Sequence, residues 1–327
     1  MTYNLDSFVA RVEEIVEKHR ADDAGNYYQK LESDTEKTPS MYGCATAVSI
    51  LYTVGKLPQN EDEIKKLVNI LQGHQSENTG LFINEGNYST HTTAFMAGAL
   101  DLLDSKCLYE AYDFGRYNAK VELHNFLDSL DWEDNPWLAA HLGSGIYASM
   151  ILTGTAIDEW QSWYFEWFDN NIDKTMGIWK KGIKRNAPLF HYLAAAFHYV
   201  FNYEYANRTV PCAKEMLKTC IDAYEAGMFE AEFKDFGWAY MDYTYLLVRL
   251  QKYTDCFHEQ ANAIVEELAR KLVDLIQKSE NVHNERLDNL NILFATVSAL
   301  AVMQEALPEI IKSTTPLQLV LNKRPFL

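Results

Sequence analysis

The chain has 327 residues, of which 48% are hydrophobic and 23% are charged, and its 46 acidic residues outnumber its 29 basic ones. This composition supplies enough apolar surface for one large core, and it excludes a disordered, collagen-like or low-complexity chain. The net charge of −17 opposes a phosphate backbone, so we expect no nucleic-acid partner. No apolar run has the length of a signal peptide or a membrane span, so we expect no membrane partner. The five cysteines include no CxxC pair, and together these features predict a cytoplasmic protein.

A repeat of about 50 residues runs along the chain. Each copy contains a segment rich in small, aromatic and aliphatic residues on all sides, which predicts a fully buried helix. These segments are 41–55, 89–104, 138–154, 188–203, 237–250 and 287–304. Polar markers recur in them at steps of 50, 50 and 51, namely His91, His141, His191 and Asp242.

Segments with a helical period and one charged face alternate with the buried ones. Such a pattern is typical of half-exposed helices. They are 6–18, 61–71, 121–130, 158–168, 213–224 and 259–278. Six alternating pairs predict an all-α fold, an (α/α)6 toroid of six helical hairpins that forms a single domain over residues 1–327.

A glycine turn followed by an aromatic residue precedes several of the buried segments. Gly80-Leu81-Phe82 stands before Ser89–Phe95, with similar copies at 177–179 and 227–229. We expect this loop to fold back and pack its aromatic side chain into the core. These residues resemble a repeat of the terpenoid-cyclase and protein-prenyltransferase β-subunit type of α/α toroid, and the layout is similar to that of six-hairpin glycosidases and sugar epimerases. The resemblance implies the toroid, and it leaves the reaction open because the acidic cyclase motif is reduced to Met241-Asp242-Tyr243-Thr244 and no prenyltransferase zinc pattern is recognisable.

The first turns of the buried helices should surround a common funnel, where helix N-termini favour an anion. Histidine transfers protons near neutral pH, and a pair of carboxylates suits acid–base chemistry on a sugar. The candidate catalytic residues are Glu85, His141, His191 and Asp242. No cofactor is expected; the alternative left open is a metal bound by His91, His141, His191 and Asp242. His198, two turns after His191, is expected to be a core histidine.

The substrate-binding candidates are basic and aromatic. Four cations crowd the loop at 180–185, which predicts a clamp for an anionic group. Tryptophan and tyrosine side chains near the same funnel suit stacking on a sugar ring or an isoprenoid chain. The candidates are Tyr42, His91, Trp137, Trp179, Lys180, Arg185, Trp238, Tyr240 and Tyr243.

Together these features favour an enzyme that acts on a small, anionic carbohydrate by hydrolysis, elimination or epimerisation. The first alternative is an isoprenoid enzyme in which an aromatic funnel stabilises carbocations, Asp242 is the acid and the basic loop holds a diphosphate. The second alternative is a scaffold or binding protein without catalytic activity, which would use its outer surface.

Overall fold

The computed structural model describes residues 2–31, 38–84, 86–280 and 284–327. Within these ranges the chain is all-α, with twelve α-helices and four two-residue strands. The helices are α1 Asp6–Lys18, α2 Met41–Thr53, α3 Glu61–Gly73, α4 Ser89–Leu102, α5 Lys120–Asp128, α6 Pro136–Leu152, α7 Trp160–Asn171, α8 Leu189–Tyr205, α9 Ala213–Glu225, α10 Trp238–Arg249, α11 His258–Lys278 and α12 Leu290–Ala306. The strands are β1 Tyr3–Asn4, β2 Ile172–Asp173, β3 Ile178–Trp179 and β4 Ile311–Lys312. In the described ranges no helix is both long enough and apolar enough to cross a membrane.

The alternation of buried and half-exposed helices predicted from the sequence is confirmed. The even-numbered helices are the buried segments, and 12 of the 17 residues of α12, for example, are buried. The odd-numbered helices each expose one face: α1, for example, buries only Phe8, Val12, Ile15 and Val16. The one-sided helical period of the apolar residues therefore located the half-exposed helices, and apolar or small residues on all sides located the buried ones.

Local sequence signals fix several helix ends. The Ser40 side chain accepts a hydrogen bond from the Gly43 backbone N–H at 3.0 Å and so caps α2. Pro136 opens α6, where its missing N–H would have no partner in any case. Gly55 and Gly154 follow α2 and α6 with φ of 70° and 73°, in the left-handed conformation that ends many helices.

The chain divides into two compact units. The first comprises Met1–Leu71, Ile221–Arg249 and Phe257–Asn322, and the second comprises Gln72–Cys220, Leu250–Cys256 and Lys323–Leu327. In the first unit α12 packs between α10 and α2, α11 covers α10 and α12, and β1 pairs with β4 in parallel. Three buried helices therefore form a row in this unit.

The second unit contains the corresponding row, with α6 between α4 and α8. Small residues make this close packing possible. A side chain on Gly145 would meet the backbone of Thr90 in α4, and one on Gly143 would meet the Tyr199 ring in α8. Because both faces of α6 lie against a neighbour, this helix has no exposed stripe, which explains its lack of amphipathic pattern.

The glycine turns behave as predicted. Gly80 and Gly177 have φ of 71° and 73°, and a Cβ on either would run into the backbone of a neighbouring segment. The aromatic residues two positions later, Phe82, Trp179 and Phe229, are each buried. At Gly80 and Gly177 only glycine fits, and each of the three turns directs a large side chain into the core.

Candidate functional site

The three histidines of the repeat lie near the N-terminal ends of consecutive buried helices in the second unit. His91 and His191 are the third residues of α4 and α8, and His141 is the sixth residue of α6. The ring centroids of His91 and His141 are 5.2 Å apart. His141 also lies 4.7 Å from His198, two turns further along α8. Three imidazoles thus form a row with His141 in the middle.

Trp137 connects this row to His191. Its ring centroid is 6.3 Å from that of His141 and 5.7 Å from that of His191. His198 is buried, whereas His91, His141, His191 and Trp137 keep part of their surface accessible. We call these five residues the histidine cluster. Four of the five residues of the cluster therefore keep some contact with solvent.

Phenylalanine rings form the walls of the cluster. Phe326 meets the His91 ring edge-on at 5.2 Å, and Phe95 stacks on the same ring at 6.4 Å. Phe197 and Phe201 lie 5.0 Å and 5.5 Å from His198. The imidazoles therefore lie in an apolar environment, which opposes any positive charge on them.

This environment changes the protonation of the histidines. Burial lowers the pKa of His141 to about 4 from the usual 6.5. Burial, together with the charge of His141, lowers the pKa of His91 to about 3 and holds that of His198 well below its usual value. At neutral pH the three rings are consequently uncharged, and the cluster readily accepts no more than one proton because a second would meet the repulsion of the first.

The tautomer of His198 follows from its hydrogen bond. Its Nδ1 lies 2.8 Å from the carbonyl oxygen of Ala194, an atom that can only accept. Nδ1 therefore carries the proton, and Nε2 carries the lone pair of the neutral ring. An uncharged imidazole of this kind can accept a proton from a hydroxyl group or a weakly acidic C–H bond.

Asp242 is a second titratable group of unusual environment, and it belongs to the first unit. It is the fifth residue of α10 and only 2% of its surface is accessible. Neither carboxyl oxygen has a hydrogen-bond partner in the described part of the chain. Burial raises the pKa of Asp242 well above 3.8, because the apolar surroundings favour the protonated carboxylic acid over the carboxylate.

Two of the four cations in the basic loop form ion pairs with carboxylates of other segments. Lys180 pairs with Asp128, and the Arg185 Nη2 lies 2.9 Å from the Asp173 Oδ2. Burial opposes ionisation of Asp173, but the backbone N–H of Thr175 and the Arg185 guanidinium outweigh it and lower the pKa of that carboxyl. Two of the four cations therefore already have partners, while Lys181 and Lys184 are exposed.

The predicted binding aromatics occupy different places. Trp137 contacts the histidine cluster, whereas Trp179 is buried in the same unit and donates its indole N–H to the carbonyl of Phe168 at 2.9 Å. The remaining four belong to the first unit, where Trp238 is half-buried and the three tyrosines are buried; they are Tyr42, Trp238, Tyr240 and Tyr243. Burial of Trp179 and these tyrosines identifies them as core residues in this structure.

Two further predictions from the sequence concern the catalytic candidate Glu85 and a metal site. Glu85 lies outside the described residues. Within the described ranges no group of three or more histidine, cysteine or acidic residues has an arrangement that holds a metal ion.

The sequence predicts His198 as a core histidine, and the residue is buried, but its contact with His141 and the position of Phe326 beside His91 were not predicted. His198 is seven residues after His191 on the same face of α8, which was a usable signal. Phe326 is far from the other members along the chain, and no periodicity could place it beside His91.

Comparisons with known proteins add no assignment. No family model, curated protein or solved structure matches the chain. The function must therefore be inferred from the chemistry of the site itself.

Proposed function

We propose that this protein is an enzyme that acts on a small carbohydrate by general acid–base catalysis at the histidine cluster. The observation that carries the proposal is a row of uncharged imidazoles in ring contact, His91, His141 and His198, of which the first two are partly accessible. His141 accepts the proton of a substrate hydroxyl or C–H group. Trp137 stacks on the apolar face of the sugar ring and holds it against His141.

The charge of the substrate is a separate part of the proposal. Because Lys180 and Arg185 are paired with carboxylates, an anionic group of the substrate would be held by Lys181 and Lys184, which are exposed in the same loop. A uronic acid would use these lysines, whereas a neutral sugar would need only the histidine cluster. Thermal stabilisation by uronic acids and by matched neutral sugars separates the two cases, with K181Q/K184Q removing the effect of the acids alone.

The acid–base proposal is tested by proton exchange. The protein is incubated in D2O with panels of aldoses, ketoses and uronic acids, and NMR follows the loss of each substrate C–H signal; oligosaccharides are followed for cleavage. The expected result is exchange, elimination or cleavage that falls about 100-fold or more in His141→Phe, because one general base typically contributes 10² to 10⁴ in rate. The matched control is His258→Phe at an exposed histidine. Equal activity in the His141 variant and the wild type would refute the proposal.

A second candidate function is supported by Asp242. A buried carboxyl group whose pKa is raised holds its proton more firmly than an exposed one, and such a group is suited to protonate an alkene. The second candidate is therefore an isoprenoid enzyme. Stabilisation by a prenyl diphosphate or a linear polyene, lost in Asp242→Asn and retained in His141→Phe, would favour it over the carbohydrate enzyme.

We also propose that the two rows of buried helices belong to one (α/α)6 toroid. The 50-residue repeat runs through both rows, each row contains three buried helices, and each of these is accompanied by a half-exposed helix. Small-angle scattering is expected to give a radius of gyration of about 20 Å, the value for one compact domain of this length. A substantially larger radius, or unfolding in two separate transitions, would exclude a single toroidal domain.

A further inference from the structure

An open cavity of about 490 Å³ lies in the first unit, and none of its lining residues belongs to the histidine cluster. One side is the end of α9 and the segment that follows it, and the other is a single face of α11. The volume falls in the range of small-molecule sites. Its lining residues on α11 recur at helical spacing, and they are Gln260, Ala263, Ile264, Glu267 and Lys271.

The floor of the cavity is apolar and aromatic. It is formed by three largely buried side chains, those of Phe229, Phe233 and Ile264. Tyr224 adds a more accessible ring, which stacks on the buried Tyr243 at 6.1 Å. These rings are held by the core behind them, so the floor is a rigid surface on which methylene groups and the faces of cations can pack.

The rim of the cavity is acidic. Glu225 and Glu230 lie on one side and Glu267 on the other, and all three are exposed. The single cation is Lys271. The described residues provide no ion-pair partner for Glu225 or Glu230, so two carboxylates face the cavity without a compensating charge.

Lys271 shows which chemistry this cavity accommodates. Its Nζ lies 5.4 Å from the centroid of the Tyr224 ring, 3.0 Å from the Tyr224 hydroxyl and 2.8 Å from the Glu267 carboxylate. Burial opposes its charge, but the hydrogen bonds to Glu267 and Tyr224 outweigh that effect and raise the pKa of Lys271. An alkylammonium group of the chain itself is thus held by one ring and one carboxylate of the cavity.

We infer that this cavity binds an aliphatic di- or polyamine. One ammonium group of the ligand pairs with Glu225 and Glu230, its methylene chain lies on Phe229 and Ile264, and a neighbouring ammonium approaches the carboxylate of Glu267. A simple metal cation would leave the aromatic floor without contact, and an anion would meet three carboxylates. This site shares no residue with the histidine cluster, and its test is independent of the proposed function.

Titration calorimetry of the full chain with spermidine tests the inference, at about 0.15 M salt so that the general negative field is screened. The expected result is saturable binding of one spermidine per chain, weakened about tenfold in Glu225→Gln/Glu230→Gln because two surface ion pairs are removed. n-Butylamine, with one ammonium group, should bind more weakly than spermidine. Ala263→Trp, at an exposed position of the lining, should fill the cavity and abolish binding without a change of charge.

The matched charge control is Glu259→Gln/Asp274→Asn, which removes two exposed carboxylates of α11 that do not line the cavity. Circular dichroism confirms the fold of each variant. The inference would be overturned by an equal loss of affinity in the control pair, by unchanged binding in Ala263→Trp, or by absence of saturable binding to the wild type.

Discussion

Acid should destabilise this protein through the histidine cluster, because its rings are held uncharged in the folded state. A histidine with a pKa of 6.5 when unfolded and about 4 when folded, as for His141, binds a proton more readily in the unfolded chain. Its contribution to stability is therefore present above pH 6.5 and is lost as the pH falls towards 4. At pH 5 these two pKa values correspond to a loss of about 2 kcal/mol, and His91 adds a loss of similar size. The replacement His141→Phe keeps an aromatic ring and removes the titratable group.

The assay is urea denaturation of wild type and His141→Phe at pH 7 and at pH 5. The free energy of unfolding of the variant should fall by about 2 kcal/mol less between the two pH values than that of the wild type. Comparing the two differences removes the effect of the substitution on packing, which is the same at both pH values. His258→Phe, at an exposed histidine, serves as the control and should retain the pH dependence of the wild type. Parallel pH dependence in wild type and His141→Phe would refute the account of a buried, uncharged His141.

Three further predictions concern stability. Because the pKa of Asp242 is raised on folding, stability should fall as the pH rises above 3.8, the value of the unfolded chain. Asp242→Asn should remove this part of the pH dependence in denaturation curves. Gly80→Ala should lower the free energy of unfolding by about 3 kcal/mol or more, because its Cβ would meet the backbone of a neighbouring segment. Gly86 has a similar φ but open space around it, so Gly86→Ala should cost about 1 kcal/mol. Equal effects of the two substitutions would show that close packing at Gly80 is unimportant. Arg249→Ala breaks a largely buried ion pair with Glu305 and should lower the free energy of unfolding by about 3 kcal/mol. Arg270→Ala, at an exposed pair with Glu266, should cost less than about 1 kcal/mol. Comparable values for the two variants would contradict this effect of burial.

The helices could be predicted because each one is buried either along a single stripe or on all sides, and both cases leave a clear pattern in the sequence. The predicted segment 6–18 coincides with α1, and 213–224 ends one residue before α9 does. A half-exposed helix reveals its buried stripe through the 3.6-residue period, and a helix such as α6 reveals its full burial through small residues on every side. Helix type and position are local properties of this kind, whereas the packing partner of each helix depends on distant parts of the chain.

The composition of the site could be predicted only in part, for the same reason. The repeat located His91 and His141, but the contact between His141 and His198 depends on how α6 and α8 are rotated against each other. The basic loop was visible in the sequence, but the pairing of Lys180 with Asp128 spans 52 residues. Charge counts along a chain therefore overstate an anion site whenever the neutralising carboxylates come from another segment.

The nitrogen atoms of the histidine cluster distinguish the two candidate functions. A core that needed only aromatic rings would be satisfied by phenylalanine, which brings no polar atom into an apolar environment. The hydrogen bond to Ala194 accounts for Nδ1 of His198, and the part of the chain that the structure describes offers no donor to Nε2. A sugar supplies hydroxyl donors at close spacing, whereas a hydrocarbon chain supplies none and would leave this acceptor without a partner at a cost of about 1 to 3 kcal/mol. If the cluster binds the substrate, a ligand rich in hydroxyl groups should consequently bind more tightly than a polyene of equal size, and His198→Phe should reverse that preference in a thermal-shift comparison.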